Sequence, residues 1–355
     1  MRELHDAPLA PLTTMRVGGP ARRLAVADTT DELVDTVREV DDAEEALLVL
    51  SGGSNVVISD DGFPGTVCRI ATSGIEVERS DADAVLVRVA AGEVWDDVVA
   101  RAVAEEWSGI ECLAGIPGLA GATPVQNVGA YGQDVAQTIT EVRVYDRAEQ
   151  QVRAMSAEEC RFTYRHSLFK ASGRYVVLDV VFRLERSALS QPISYADLAV
   201  GLGAEKGDRV PLAEAREGVL AQRRRRGMVL EEGDHDTWSC GSFFTNPQLD
   251  DAQLTELLRR SAALLGPDVV PPQFPGANGS TKTSAAWLID KAGFGKGYRM
   301  PGPAALSTKH TLAITNRGSA TARDVADLAR EVRDGVRDRF GVTLVNEPVF
   351  VGHSL

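Results

Sequence analysis

The chain has 355 residues, more than one ordinary domain, and at about 150 residues per domain it suggests two or three. Hydrophobic residues make up 44% and charged residues 25%, enough apolar material for a sizeable core without disulfides or metals. The net charge of −13 argues against a general nucleic-acid or membrane-surface binder, which would carry a basic footprint, but leaves room for a phosphate-bearing ligand held by local arginines and backbone amides.

The first residues contain Glu3, Asp6, Pro8 and Pro11 and no apolar leader, and no run approaches the roughly 18 apolar residues that cross a bilayer. A cytoplasmic location without membrane insertion is expected. Leu33, Val34, Val37 and Val40 fall on one face and predict a helix over Thr30–Asp42, with Thr30 as its cap. Ala46–Leu50 and Val56–Ile58 read as strands on either side of a tight polar loop, and Ala84–Ala91 as another strand. Val94–Val103 predicts a short helix with Trp95, Val98, Val99 and Ala102 inward. Glu141–Asp146 and Arg174–Leu184 read as strands, the latter with Leu178, Val180, Phe182 and Leu184 alternating with more polar positions. Further helices are predicted over Pro211–Arg226, with Leu212, Ala215, Val219 and Ala221 or Gln222 inward, and over Asp250–Leu265, Ser284–Ala292 and Thr321–Phe340. Gly341 ends the last helix, and Val342–Val345 follows as a strand. Gly201–Gly207 and Pro271–Gly279 are the loop or linker candidates. Interleaved helices and strands give an α+β, mixed α/β class.

The four cysteines, Cys68, Cys112, Cys160 and Cys240, form no CxxC pair and have no histidine at ligand spacing. Buried or reduced thiols and no metal are expected. Two loops invite a ligand. In Ser51-Gly52-Gly53-Ser54-Asn55 the glycines let consecutive backbone N–H groups converge on an anion, while Ser and Asn add side-chain donors. Gly115–Gly132 is nearly free of charge and dense in glycine, which suits backbone pressed against a flat ring or a pyrophosphate. Neither is a GxGxxG turn after a strand, and no Walker A motif occurs, so a Rossmann dehydrogenase is disfavoured. On composition alone, ordinary turns remain as good a reading as ligand loops.

The order of motifs adds more. Met15-Arg16-Val17-Gly18-Gly19-Pro20-Ala21, Gly52–Asn55 and Gly115–Gly132 resemble the flavin-binding segments of the UDP-N-acetylenolpyruvoylglucosamine reductase (MurB) family. Tyr164-Arg165-His166-Ser167, Ser194-Tyr195-Ala196-Asp197-Leu198, Gly241-Ser242-Phe243-Phe244-Thr245-Asn246-Pro247 and Asn346-Glu347-Pro348 follow in that family's order, so the resemblance spans nearly the whole chain. It implies a vanillyl-alcohol-oxidase-like flavin-binding fold in two subdomains, residues 1–70 and 71–227, the second joined by a returning segment 343–355. A substrate-binding α+β domain over 228–342 completes it. It implies FAD as cofactor, bound by Gly52, Gly53, Ser54, Asn55, Gly115, Gly118, Gly121, Gln126, Asn127, Gly129 and Ala130, with NADPH as reductant. The implied substrate is a sugar nucleotide, UDP-N-acetylglucosamine enolpyruvate, reduced to UDP-N-acetylmuramate for cell-wall synthesis. The Tyr195 segment resembles the subgroup whose tyrosine-bearing loop closes over the substrate.

The implied reaction delivers hydride from flavin N5 to the enolpyruvyl methylene carbon, and negative charge develops at the adjacent carbon. Such a site needs a cation for the carboxylate, a polar group supporting the enolate and a positioned proton donor. By resemblance Ser242 is the proton donor, with Gly241 permitting close approach to the flavin and a relay restoring the proton. Arg165 offers a planar fork to the carboxylate. Glu347 supports the enolate through a shared proton. Tyr195 and Asn246 are candidate substrate contacts. Arg226, within Arg223–Arg226, stands where the family has a phosphate-binding lysine; the competing reading is a solvated helix end. Cys240 stands where a small residue is expected, close enough to Ser242 for an alkylating reagent to inhibit. His310 reads as structural. Two rivals remain: an oxidase of the same flavin fold, weakened by the absence of a histidine or cysteine in the flavin segments for covalent attachment, and a non-catalytic flavin or nucleotide module. A nucleic-acid-binding reading would rest on Arg223–Arg226 alone.

Overall fold

The structure, a computed structural model, describes residues 1–170, 172–276 and 279–355. Its contacts form two compact units: Met1–Ala7 with Ala21–Gly53 and Pro64–Val229, and Pro8–Pro20 with Ser54–Phe63 and Leu230–Leu355. Residues 343–355, expected to return to the flavin part, cluster in the second unit.

In the first unit a four-stranded sheet runs in the order Arg2–Pro8, Pro20–Ala27, Phe63–Ile70, Leu47–Leu50, the last two parallel. The helix Thr30–Asp42 buries Leu33, Val34 and Val37 in a core shared with Cys68, Ile70 and Tyr145. Its cap is Thr29 rather than Thr30, because the Thr29 hydroxyl accepts from Glu32 N while Thr30 is already helical. A second, antiparallel sheet is built around Tyr175–Arg186, which pairs with Ile139–Asp146 on one side and Ala84–Ala90 on the other. That strand does not alternate as expected, since every residue from Val176 to Phe182 is buried. A register shift between Arg143 and Val144 lets the strand serve two cores: Val176 and Leu178 face one, and Val180, Phe182 and Leu184 the other. The helices Trp95–Ala104 and Leu212–Arg225 contribute Trp95, Val98, Val99, Val219 and Leu220 to the larger core. Gln222, not Ala221, takes the inward position near the end of the second helix.

In the second unit, helices Asp251–Leu265, Ala285–Lys291 and Ala322–Phe340 pack around Leu257, Leu288, Val325, Val332 and Phe340. The last helix starts on a Thr321–Asp324 capping box and stops at Gly341, whose φ of 75° suits the left-handed cap. The strand expected at Val342–Val345 is not one. Val342 and Leu344 point inward and Thr343 and Val345 outward, but no ladder forms: Thr245 bonds to Val345 O through its N (3.0 Å) and its hydroxyl (3.3 Å). The strand comes later, at Val349–Val351, parallel to Val56–Ile58. Of the Pro271–Gly279 segment, Gln273–Pro275 forms a strand with Thr281–Thr283, while Ala277 and Asn278 lie outside the described residues. Of the Gly201–Gly207 segment, Gly201 still closes the helix Ala196–Gly201. Among the described residues no helix is long and apolar enough to cross a membrane, and all four cysteines are free and buried.

Candidate active site

The first unit brings the two glycine loops against each other. Leu47–Leu50 delivers Ser51-Gly52-Gly53, and a Cβ built on Gly52 would lie 2.7 Å from Gly118 Cα. Backbone therefore packs on backbone, which only glycine allows. The Gly115–Gly121 stretch is pinned to the start of helix Trp95–Ala104: Gly115 N donates to Asp96 Oδ1 (2.6 Å) and Trp95 N to Gly118 O (3.1 Å). Asp96 is held in turn by Arg216 Nη2 (2.9 Å). Gly121 N donates to Ala91 O (2.9 Å), and a Cβ on Gly121 would come within 2.4 Å of Ala91 Cβ. Beside these loops lies a cavity of about 280 Å³, lined by Leu48, Ser51, Gly121, Ala122, Arg147 and Tyr175 among others. Ser51 Oγ is enclosed there with no protein hydrogen-bond partner among the described residues. An enclosed hydroxyl without a partner calls for a ligand or water. The mixture of apolar walls, glycine backbone and one guanidinium suits a flat ring with polar attachments.

Farther along, Asn127 is buried in a left-handed conformation (φ 47°). It acts as a clip, donating to Thr163 O (3.1 Å) and accepting from Ala136 N (3.1 Å). Gln126 is half-buried beside it, and Gly129–Ala130 pairs with Gln133–Asp134 in a short hairpin. Arg165 sits on the tight turn closed by Thr163 and His166, itself left-handed at φ 54°. Its Nη2 donates to Gly129 O (2.6 Å) and its guanidinium lies 5.5 Å from the Tyr164 ring centre. The Tyr-Arg-His-Ser motif is thus fastened to the second glycine loop, a link reinforced by the Ser167 hydroxyl donating to Val125 O (2.7 Å).

Tyr195 precedes the helix Ala196–Gly201, is 45% exposed, and meets Tyr131 edge-on at 5.6 Å. Arg226 Nη2 pairs with Asp197 Oδ2 at 3.2 Å, so Tyr195 and Arg226 converge on the same short helix. Tyr131, Asp197 and Arg223 lie in the same neighbourhood; they stand within the quoted motifs and the arginine run, which gave them no role of their own.

In the second unit, Gly241 (φ 73°) turns the chain into Ser242. The Ser239 hydroxyl accepts from Gly241 N (3.1 Å), and Ser239 O accepts from Thr14 Oγ1 (2.7 Å). Glu347 N donates to Phe243 O (2.9 Å), which makes Glu347 a cross-chain neighbour of the Ser242 segment. Asn55 Nδ2 donates to Glu347 O (3.2 Å) and Asn55 O accepts from Val349 N (2.9 Å), so Asn55 braces the same strand. Asn246 Oδ1 accepts from Ala285 N (3.0 Å) at the start of helix Ala285–Lys291, which turns this expected substrate contact toward a helix end. Cys240 donates to Val56 O (3.4 Å), and burial pushes its thiol up to about 12. Ready alkylation next to Ser242 is therefore not expected. His310 N donates to Ser307 Oγ (3.3 Å) within a turn anchored by Asp236, whose carboxylate accepts from Thr308 N (2.8 Å) and Arg317 Nη1 (2.8 Å).

Two family models match the chain: an FAD binding domain over residues 21–155, and the C-terminal domain of UDP-N-acetylenolpyruvoylglucosamine reductase over residues 233–351. Curated relatives bearing that reductase name include one from Streptomyces avermitilis, 60% identical across 100% of this chain and 96% of the relative. Another, from Thermobifida fusca, is 56% identical across 99% and 98%. A third, from Mycolicibacterium gilvum, is 51% identical across 99% and 97%. Among solved structures, the reductase of Thermus caldophilus overlays with a TM-score of 0.63 at 23% identity, covering 99% of this chain and 98% of that one, a likeness of fold.

Proposed function

The chain belongs to the UDP-N-acetylenolpyruvoylglucosamine reductase family and is an FAD-dependent oxidoreductase; on that premise we propose that it reduces UDP-N-acetylglucosamine enolpyruvate to UDP-N-acetylmuramate with NADPH as reductant, Ser242 as proton donor, and Arg165 and Glu347 as partners of the developing enolate. The residues of the first unit fit FAD: two glycine loops in backbone contact, and an enclosed Ser51 hydroxyl facing a cavity with aromatic, aliphatic and guanidinium walls. Gly52, Gly53, Gly115, Gly118 and Gly121 would hold its backbone side, while Asn127, Gly129 and Ala130 shape the second loop. When bound, FAD supplies the hydride. Everything else falls to side chains of the chain.

Addition of hydride to the methylene carbon leaves an electron pair on the neighbouring carbon, delocalised into the substrate carboxylate. Arg165 carries a permanent charge, and its bond to Gly129 O fixes the plane of its fork, so its stabilisation of that charge costs little reorganisation. Ser242 gives its proton to the carbon, and a relay returns one. The support for pairing Ser242 with Glu347 is the bond from Glu347 N to Phe243 O, which sets the two residues on facing backbones. This single observation carries the assignment. Tyr195 and Arg226 are assigned to the nucleotide diphosphate, with Arg226 exchanging the exposed Asp197 carboxylate for phosphate. Asn246 contributes only through its amide nitrogen, since its oxygen caps a helix. The reading carries with it a cytoplasmic location.

The test is anaerobic. The flavin of the purified protein is reduced with NADPH and the enolpyruvyl nucleotide is added to wild type and to Ser242→Ala. Prompt reoxidation in wild type and a slowing of about 10²-fold or more in the variant is the expected result. A reduced flavin that ignores the nucleotide and reacts with oxygen would leave the oxidase reading in its place.

A further inference from the structure

Glu111 is a fully buried carboxylate to which the reaction gives no part. It opens the short turn Glu111–Leu113, just before the second glycine loop. The other buried carboxylates, Asp146, Asp179 and Asp236, each pair with an arginine. Glu111 has no ion pair among the described residues and collects three N–H donors instead. Its Oε2 accepts from Gly109 N (2.7 Å), and its Oε1 accepts from Gln133 Nε2 (2.9 Å) and Gln191 N (2.6 Å). A carboxylate removed from water without a cation is tolerated only when donors converge on it in this way. Both oxygens act as acceptors, which a glutamine could not reproduce: in either orientation its amide would set an NH2 against at least one of these N–H groups.

The three donors come from separate segments. Gly109 follows the strand Trp107–Ser108. Gln133 lies in the hairpin with Gly129–Ala130 and extends the network, its Oε1 accepting from Cys112 N (2.8 Å). Gln191 begins the stretch that leads to Tyr195. Its side chain is spent on Ser108 Oγ (3.2 Å) and Glu185 Oε2 (2.8 Å), which leaves its backbone N–H aimed inward at Glu111. The stretch is firm at its root and loose at its tip. At the root Ile193 is buried and donates from N to Asp208 O (2.9 Å). At the tip the Ser194 hydroxyl reaches Tyr131 O at 3.4 Å, and the exposed Tyr195 meets Tyr131 through a ring edge. The hairpin keeps its shape by bonds of its own, from Val135 N to Val128 O (2.9 Å) and from Ala136 N to Asn127 Oδ1 (3.1 Å). The part that depends on Glu111 is therefore the root of the Tyr195 stretch. We propose that Glu111 is a positioning residue for nucleotide binding: its carboxylate clamps that root to the hairpin of the second glycine loop and so sets the place from which Tyr195 meets the substrate. The proposal rests on the assignment of Tyr195 to the nucleotide above.

The experiment is a double-mutant cycle on the full-length holoprotein, with wild type, Glu111→Gln, Tyr195→Ala and the double variant. FAD is reduced with dithionite under anaerobic conditions, and its reoxidation by the enolpyruvyl nucleotide is followed by stopped flow over a range of nucleotide concentrations. In Glu111→Gln the half-saturating concentration should rise about tenfold, the effect of one enclosed N–H left without an acceptor. The limiting rate and the FAD dissociation constant should stay within about twofold of wild type. In the Tyr195→Ala background the same substitution should change half-saturation by less than about twofold, because the stretch it positions no longer carries the contact. An equal rise in both backgrounds would place the action of Glu111 outside the Tyr195 stretch and overturn the proposal. So would an unchanged half-saturation in the single variant. Should Glu111→Gln fail to fold, Gln133→Met decides the matter, since it removes one donor and leaves the other two bonds of Glu111 in place. A rise of about threefold that vanishes with Tyr195→Ala is then expected, and no rise, or the same rise in both backgrounds, refutes the clamp. A Tyr195→Ala variant that handles the nucleotide as wild type does, or a wild-type flavin that ignores it, would instead remove the functional reading beneath the proposal, and the proposal with it.

Discussion

Replacing Gly52 by alanine tests the contact on which the cofactor site depends. Gly52 needs no left-handed φ, so the substitution adds volume without backbone strain. The new Cβ would sit 2.7 Å from Gly118 Cα, 3.1 Å from Gly118 C and 3.2 Å from Leu119 N. Carbon atoms rest about 3.5–4.0 Å apart, so the loops must separate by roughly 1 Å. The opposing atoms are backbone and cannot rotate away. Gly118 O also accepts from Trp95 N (3.1 Å), which ties the loop to a helix and resists the shift. Overpacking of this kind costs about 1–3 kcal/mol. If the cofactor needs the loops in contact, the cost appears in FAD affinity, which should fall roughly 5- to 150-fold. Gly233→Ala is the control, since a Cβ there meets nothing within 4 Å. FAD binding can be followed by quenching of flavin fluorescence and by the melting temperature with and without FAD. An FAD dissociation constant for Gly52→Ala within twofold of wild type and of the control would refute the reasoning.

Other expectations follow from the second unit and from the arginine cluster. Burial raises the Asp236 carboxyl, but the bonds from Thr308 more than offset this and hold it below the ordinary range. A carboxylate depressed in the fold stabilises above its unfolded pKa of about 3.9 and loses that stabilisation as pH falls through the lower folded value. Asp236→Asn should therefore lower stability at pH 7 and flatten its decline below about pH 4, read from denaturant midpoints. Iodoacetamide at pH 8 should leave Cys240 unmodified in the folded protein and label it after denaturation, because burial holds the thiol near 12; peptide mapping that finds rapid labelling would contradict that enclosure. Phe340→Ala, at a fully buried position, should cost about 3–5 kcal/mol by denaturant titration. Arg226→Ala should raise the KM for the enolpyruvyl nucleotide about tenfold while leaving flavin reduction by NADPH within twofold; equal damage to both half-reactions would detach it from the diphosphate.

Local chemistry made several elements legible in the sequence. The stripe Val325, Leu328, Val332, Val336 and Phe340 between Thr321 and Gly341 determined a helix, since its period, cap and stop agree. The density of glycine at 52–53 and 115–132 marked loops that something must approach closely, and the ordered motifs carried the family. What the sequence could not contain was the partner of each group. Whether Val342–Val345 or Val349–Val351 becomes a strand depends on which stretch meets Val56–Ile58, a pairing about 290 residues away in the chain. No motif shows that Asn127 bonds its amide to Thr163 O and Ala136 N, or that Asn246 turns its oxygen to Ala285 N and leaves only its nitrogen for a ligand. Arg223, whose Nε is enclosed, is one of four consecutive arginines, and nothing in that run distinguishes it from the solvated ones. Burial and hydrogen-bond partnership are properties of position in three dimensions, so the tertiary structure alone decides which arginine remains a surface charge and which is enclosed.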